Sequence, residues 1–276
     1  MAGCPGSDNT KAWSKMALIF DNNGFWQLHS ESRGHDLFCL HTCAQMVDQI
    51  FRENGLLYAF IGGYSTVLYG SPRSVQDIDV VVEADIPEVM AALVKQKPLC
   101  LPEQYEYGFA SIFVKTGLKL TKPDMNMSRT EPVQVNIVMS GYTGSPSNLD
   151  SCTQKISLPR TGVSVSILDL KTQMAQTLSA YRSRGDHKDY EDLSFMIRRY
   201  HVEITQVARH LRIQDREYLL ERMTRRQEFQ LANIAAQAFG FPTDDGGGST
   251  SDNDAGEMGR GKRARLGSSS SAGAAS

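Results

Sequence analysis

No run of apolar residues in this chain approaches the roughly 18 needed to cross a bilayer, and residues 1–15 are small and polar, without the charged-then-apolar pattern of a secretory leader. The reading is neither a membrane span nor a signal peptide. Cysteine is sparse: Cys4, Cys39, Cys43, Cys100 and Cys152 are odd in number and scattered, which excludes a disulfide framework and points to reduced thiols. His35, Cys39, His41 and Cys43 crowd together, but no distant second ligand pair accompanies them, so small cysteines packing along a helix are favoured over zinc. Net charge is scarce too. A balance of −2 argues against a whole surface built for indiscriminate nucleic-acid binding. No internal repeat is visible, so solenoids are set aside, and 276 residues at 41% hydrophobic suit one enzyme-sized domain with a helical extension.

What is there concentrates between residues 57 and 82. Residues 57–61 form a short apolar run that reads as a buried strand, and Gly62-Gly63 breaks it where the backbone must bend or approach something closely. Tyr64, Val67 and Leu68 follow at helical spacing, so a helix starting at the glycines would aim backbone N–H groups there, an arrangement that attracts phosphate. Gly70-Ser71-Pro72-Arg73 reads as a loop, and Val80-Val81-Val82 as a strand β-branched on both faces, hence interior. Asp77 and Asp79 alternate at its start, so both project from one face about 7 Å apart. Two carboxylates so placed repel unless a cation sits between them. Mg²⁺ takes one or two carboxylates together with phosphate oxygens.

Gly62-Gly63, thirteen residues, then Asp77-Ile78-Asp79 resembles the signature of the DNA polymerase β-like nucleotidyltransferase superfamily. The string from Leu68 to Asp79, with a Gly-x-x-Arg loop before the paired aspartates, resembles its small toxin-like and uncharacterised branch. The resemblance implies an α/β (α+β) fold with a mixed sheet and flanking helices, followed by a helical C-terminal region. It implies that Asp77 and Asp79 bind two Mg²⁺ (or Mn²⁺) ions carrying an NTP, that Gly62 and Gly63 cradle phosphates, and that Arg73 lies near the phosphates or braces the aspartate strand.

A second segment carries the same resemblance. Asp169-Leu170-Lys171, then Arg184 through Lys188-Asp189 to Asp192-Leu193, matches a lysine-bearing helix leading to an Arg-x-x-x-Lys-Asp-x-x-Asp-Leu motif, which implies nucleotide contacts from Lys171, Arg184 and Lys188. Ser166 or Asp169 would cap a helix with Leu170, Met174, Leu178 and Tyr181 as its apolar stripe. Lys188, Asp189 and Asp192 could equally form an ion pair within the next helix.

The family pattern wants a third carboxylate on a neighbouring strand. The matching run is 132–139, and the position is Asn136, whose amide oxygen can ligate a metal but carries no charge and takes no proton from an attacking hydroxyl. Glu83 and Glu131 lie too far along their strands to substitute. Three readings follow. One is transfer of a nucleoside monophosphate from an NTP to an acceptor hydroxyl, of RNA, tRNA, protein or a small molecule, with Asp77, Asp79 and Asn136 as the catalytic set. The others are an impaired relative that binds nucleotide or a partner without transfer, and a domain kept as an interaction scaffold.

Along the chain, 1–16 reads as a flexible leader, 17–165 as the nucleotidyltransferase-like domain, 166–242 as a helical region packed on it, and 243–276 as a disordered Gly/Ser-rich tail. Residues 18–26 read as irregular with an Asn22-Asn23-Gly24 turn, and helices are expected over 36–53 and 86–95. Between Lys171 and Arg226, twelve Lys and Arg stand against eight Asp and Glu, a surplus able to steer nucleotide or RNA toward the cleft. The expected location is cytoplasmic; Lys262-Arg263-Ala264-Arg265 fits a short nuclear-import pattern.

Overall fold

A computed structural model of the chain describes residues 16–34, 36–116, 131–159 and 161–242. The leader through Lys15, the tail with its Lys262 to Arg265 cluster, and His35 of the zinc option lie outside the described residues.

Eight strands form one mixed sheet: β1 (Leu18–Phe20), β2 (Tyr58–Ile61), β3 (Asp77–Val82), β4 (Leu99–Pro102), β5 (Phe109–Thr116), β6 (Glu131–Met139), β7 (Thr153–Ser157) and β8 (Ser164–Leu168), in spatial order β1-β4-β5-β6-β3-β2-β8-β7. β3 lies inside, antiparallel to β2 and parallel to β6, and its valines are fully buried, which is why a β-branched run without alternation suits it. Helices α1 (Asn22–Glu31), α2 (Leu37–Glu53), α3 (Gly62–Leu68) and α4 (Ile86–Leu93) interleave with the strands; α5 (Leu170–Arg184), α6 (His187–Val207), α7 (Ile213–Arg225) and α8 (Phe229–Phe239) follow.

Aspartates start most of these helices. Asp36, Asp85 and Asp169 each accept from a backbone N–H of the first turn, and for α5 the cap is Asp169, accepting from Thr172 N at 2.7 Å, while Ser166 sits in β8 and accepts from Lys155 Nζ. One hydrophobic cluster gathers α2, α4 and the sheet around Leu40, Phe51, Ile78 and Ile137. A second joins α5 to α8 around Met174, Tyr181, Leu193 and Phe239. Among the described residues no helix is long and apolar enough to cross a membrane.

Residues 18–26 depart from the irregular reading. Leu18–Phe20 pairs in parallel with β4, and the Asn-Asn-Gly run is the first turn of α1, because Asp21 accepts from Gly24 N at 2.8 Å and turns a loop-like composition into a capped helix start. β8 pairs with β2, so the sheet runs on to Leu168, beyond the 165 boundary expected. β4 was absent from the sequence reading, being four residues long and too short for periodicity.

Candidate active site

β3 presents Asp77 and Asp79 on one face, and the register of β6 puts Gln134 opposite Asp77 and Asn136 opposite Asp79; Ser111 of β5 lies opposite Asn136 in turn. Asn136 Nδ2 donates to Asp77 Oδ2 at 3.1 Å and to Asp79 Oδ1 at 2.9 Å. Its Oδ1 accepts from Ser111 Oγ at 2.8 Å and from Gln134 Nε2 at 2.9 Å. Gln134 Oε1 then faces His29 Nδ1 of α1 at 2.7 Å. The directions follow from one another. Carboxylates only accept, so the amide NH₂ faces them, its oxygen takes the two donors, and His29 must carry hydrogen on Nδ1.

Asn136 thus occupies the third position with its NH₂ turned toward the aspartates and its oxygen toward Ser111 and Gln134. Ser111, Gln134 and His29 went unnoticed in the sequence. Glutamine and serine on strands carry no motif, and only the strand register shows that they meet Asn136.

Gly62 has φ of +62°, and a Cβ there would stand 2.8 Å from Asp79 Oδ2, so glycine is required both by the backbone and by the carboxylate. The Gly62 carbonyl accepts from Gln173 Nε2 at 3.2 Å. A Cβ on Gly63 would collide with the Arg73 guanidinium, so the bare face expected to cradle phosphate is covered by an arginine. Arg73 in turn binds Asp192 of α6 through both edges, Nε to Oδ1 at 2.5 Å and Nη2 to Oδ2 at 2.8 Å. Of the two roles expected for Arg73, the ion pair makes it a brace between the aspartate loop and the helical region.

A cleft of about 890 Å³ opens over these residues, lined also by α5 and the start of α6. Arg184 lines it with its guanidinium held by Asp189, at 2.6 Å through both nitrogens, and Lys188 lines it without a carboxylate partner among the described residues. The ion pair expected within α6 is absent, because Asp189 and Asp192 are each taken by an arginine from outside that helix. Lys171 is not part of the lining; it lies near Cys152, and α5 offers Gln173, Gln176 and Thr177 to the cleft instead. The basic surplus of the helical region does not reach the cleft either: among its lining residues Asp77, Asp79, Asp186, Asp189 and Asp192 face Arg73, Arg184 and Lys188.

Burial pushes the Asp79 carboxyl up to about 6, the Asp77 charge adds to this, and the Asn136 hydrogen bond, Arg184 and Arg73 oppose it. Such a pair fits one hard cation with oxygen ligands. Of the neighbouring acids, Glu83 accepts from Leu149 N at 2.8 Å and Glu131 lies beside Cys39, and among the described residues no group of three or more His, Cys, Asp or Glu is placed to hold a metal. Of the residues weighed for zinc, Cys43 is buried in the main core and His41 Nδ1 bonds Tyr64 Oη at 2.9 Å.

No protein-family model matches the chain, and no curated protein does. Solved structures are similar to it at a distance. A nucleotidyltransferase-like antigenic protein from Paracoccidioides brasiliensis matches 58% of this chain and 76% of its own, at 20% identity and a TM-score of 0.45. A nucleotidyltransferase candidate from H. pylori matches 74% of this chain and 93% of its own, at 14% identity and a TM-score of 0.40. Another, from Thermotoga maritima, matches 55% and 91%, at 14% identity and a TM-score of 0.38. All three descriptions fall in the class that the glycine turn and aspartate pair suggested, and at these scores none bears on activity.

Proposed function

We propose that the chain is a nucleotidyltransferase-like protein of the DNA polymerase β-like kind, whose cleft takes a nucleoside triphosphate with one divalent cation, Mg²⁺ or Mn²⁺, at Asp77 and Asp79. One observation carries the reading: the partly buried aspartate pair has a neutral amide NH₂, fixed by Ser111 and Gln134, where a third acid would serve a second cation. When bound, the cation would be held by Asp77 and Asp79 and would offset part of the combined carboxylate and phosphate charge. Lys188 stands at the cleft for the remaining phosphate charge, while Arg73 and Arg184 are held by Asp192 and Asp189 and shape the wall. Gly62 keeps space for Asp79, and Gln173 holds the Gly62 carbonyl in place. Nucleotide binding is therefore the primary activity.

Nucleotidyl transfer is the second reading, favoured by another cavity that opens beside Ser111 on the same sheet face, where an acceptor needs to stand. In that reaction the acceptor oxygen bonds to the α-phosphorus, the bond from that phosphorus to the bridging oxygen breaks, pyrophosphate leaves with the electron pair, and the hydroxyl proton passes to water.

Calorimetric titration of each NTP with Mg²⁺ or Mn²⁺ tests the first reading: wild type binds, and Asp77→Ala loses at least tenfold in affinity. Label transfer to RNA, protein or small-molecule acceptors tests the second, beside Asn136→Asp. An affinity unchanged in Asp77→Ala sinks the metal assignment; NTP-dependent labelling by wild type that vanishes in Asp77→Ala makes transfer the primary activity.

A further inference from the structure

We infer that the cavity between α1 and the β4–β5 connection is a second binding site, for a small organic cation. It measures about 550 Å³, within the range of drug-sized ligand pockets. Its wall combines the rings of Phe25, Trp26 and Tyr105 with the carboxyl groups of Asp21, Glu103 and Glu106, and among the described residues no lysine, arginine or histidine lines it. Trp26 is 65% exposed and Tyr105 42%, so two large rings stand in solvent beside one another's cavity rather than in a core. Trp26 is held from α1: Phe25 meets it edge-on at 5.3 Å and itself stacks on His29 at 5.7 Å. The exposed rings of Trp26 and Tyr105 beside these carboxylates attract an ammonium group through both the quadrupole and the charge. The same wall repels phosphate, which disfavours an RNA strand as its occupant.

The cavity is tied to the aspartate pair. Ser111 lines it and donates to Asn136, whose amide donates to Asp77 and Asp79, so cavity and carboxylates share a sheet face two strands apart, about 10 Å. Naming the bound cation the acceptor, through a hydroxyl it carries, rests on the proposed function; binding of the cation does not.

The test uses the full chain with Trp13→Phe, which leaves Trp26 as the sole tryptophan. Choline is titrated against its neutral isostere 3,3-dimethylbutan-1-ol and against an RNA oligonucleotide, with Trp26 emission as the readout. Choline is expected to give a saturable change, the isostere to bind at least tenfold more weakly, and the RNA to give none. Glu103→Gln with Glu106→Gln, both exposed positions, should weaken choline tenfold or more without moving Tm. Asp77→Ala should keep choline binding whatever happens to NTP affinity, which separates failure of this site from failure of the nucleotide reading. Equal binding of choline and its isostere, indifference to the double carboxyl substitution, or RNA saturating Trp26 in place of choline would each overturn the assignment.

Discussion

Asn136 donates where a third acid would accept, and its partners fix it there. Asn136→Asp would set three carboxylates together without their shared donor, so Tm should fall in the presence of a chelator, and added Mn²⁺ should restore more stability than it gives wild type. A Tm unaffected by chelator in this variant would mean that the amide is not holding the pair. Asp79 gives the pH dependence. Its folded pKa near 6 lies above the ordinary carboxylate value, so the folded chain holds the extra proton and its stability falls as pH rises from about 4 through about 6. Mn²⁺ competes with that proton, hence its affinity should climb over the same interval and level off above it; Asp79→Asn should flatten the stability slope measured by urea denaturation at stepped pH. Gly62→Ala meets both a left-handed φ and the Asp79 carboxylate, and a loss of about 1–3 kcal/mol in urea melts is expected. The Gly-Gly and the Asp-x-Asp were legible because glycine and strand alternation are local facts. The orientation of Asn136 was not, since it depends on Ser111 and Gln134 across strand register.

At the scale of elements, α6 is anchored to the aspartate loop by a nearly buried ion pair, Arg73 at 16% exposure against Asp192 at 4%. Removing one partner strands a charge, so Asp192→Ala should cost about 3–5 kcal/mol in chemical denaturation, and the double variant with Arg73→Met should cost less than the single one. An Asp192→Ala loss under 1 kcal/mol would show that the pair is not a brace. α5 was readable from its apolar stripe and from Asp169 as one of two candidate caps. α1 was not, because its Asn-Asn-Gly first turn imitates a loop until Asp21 caps it.

For the whole molecule, the two larger hydrophobic clusters are joined by polar ties: the Arg73–Asp192 pair, Tyr200 Oη donating to the Tyr69 carbonyl at 2.6 Å, and Gln173 holding the Gly62 carbonyl. Calorimetry should therefore record a single unfolding transition, raised as a unit by Mg²⁺ with NTP. Two separate transitions, with only one moved by ligand, would assign the helical cluster a stability of its own.

The sequence by itself determined the strand, the glycine break, the helix and the paired aspartates, because each depends on neighbours a few residues away and on the two periodicities of strand and helix. It also determined that position 136 holds no acid. Tertiary structure alone decided what that position does: β6 beside β3 turns the Asn136 amide toward Asp77 and Asp79, α6 brings Asp192 to Arg73 from 119 residues away, and α1 delivers His29 to Gln134 and Trp26 to the second cavity. Those meetings depend on which elements pack together, and charge and hydrogen-bond direction then leave each side chain one role.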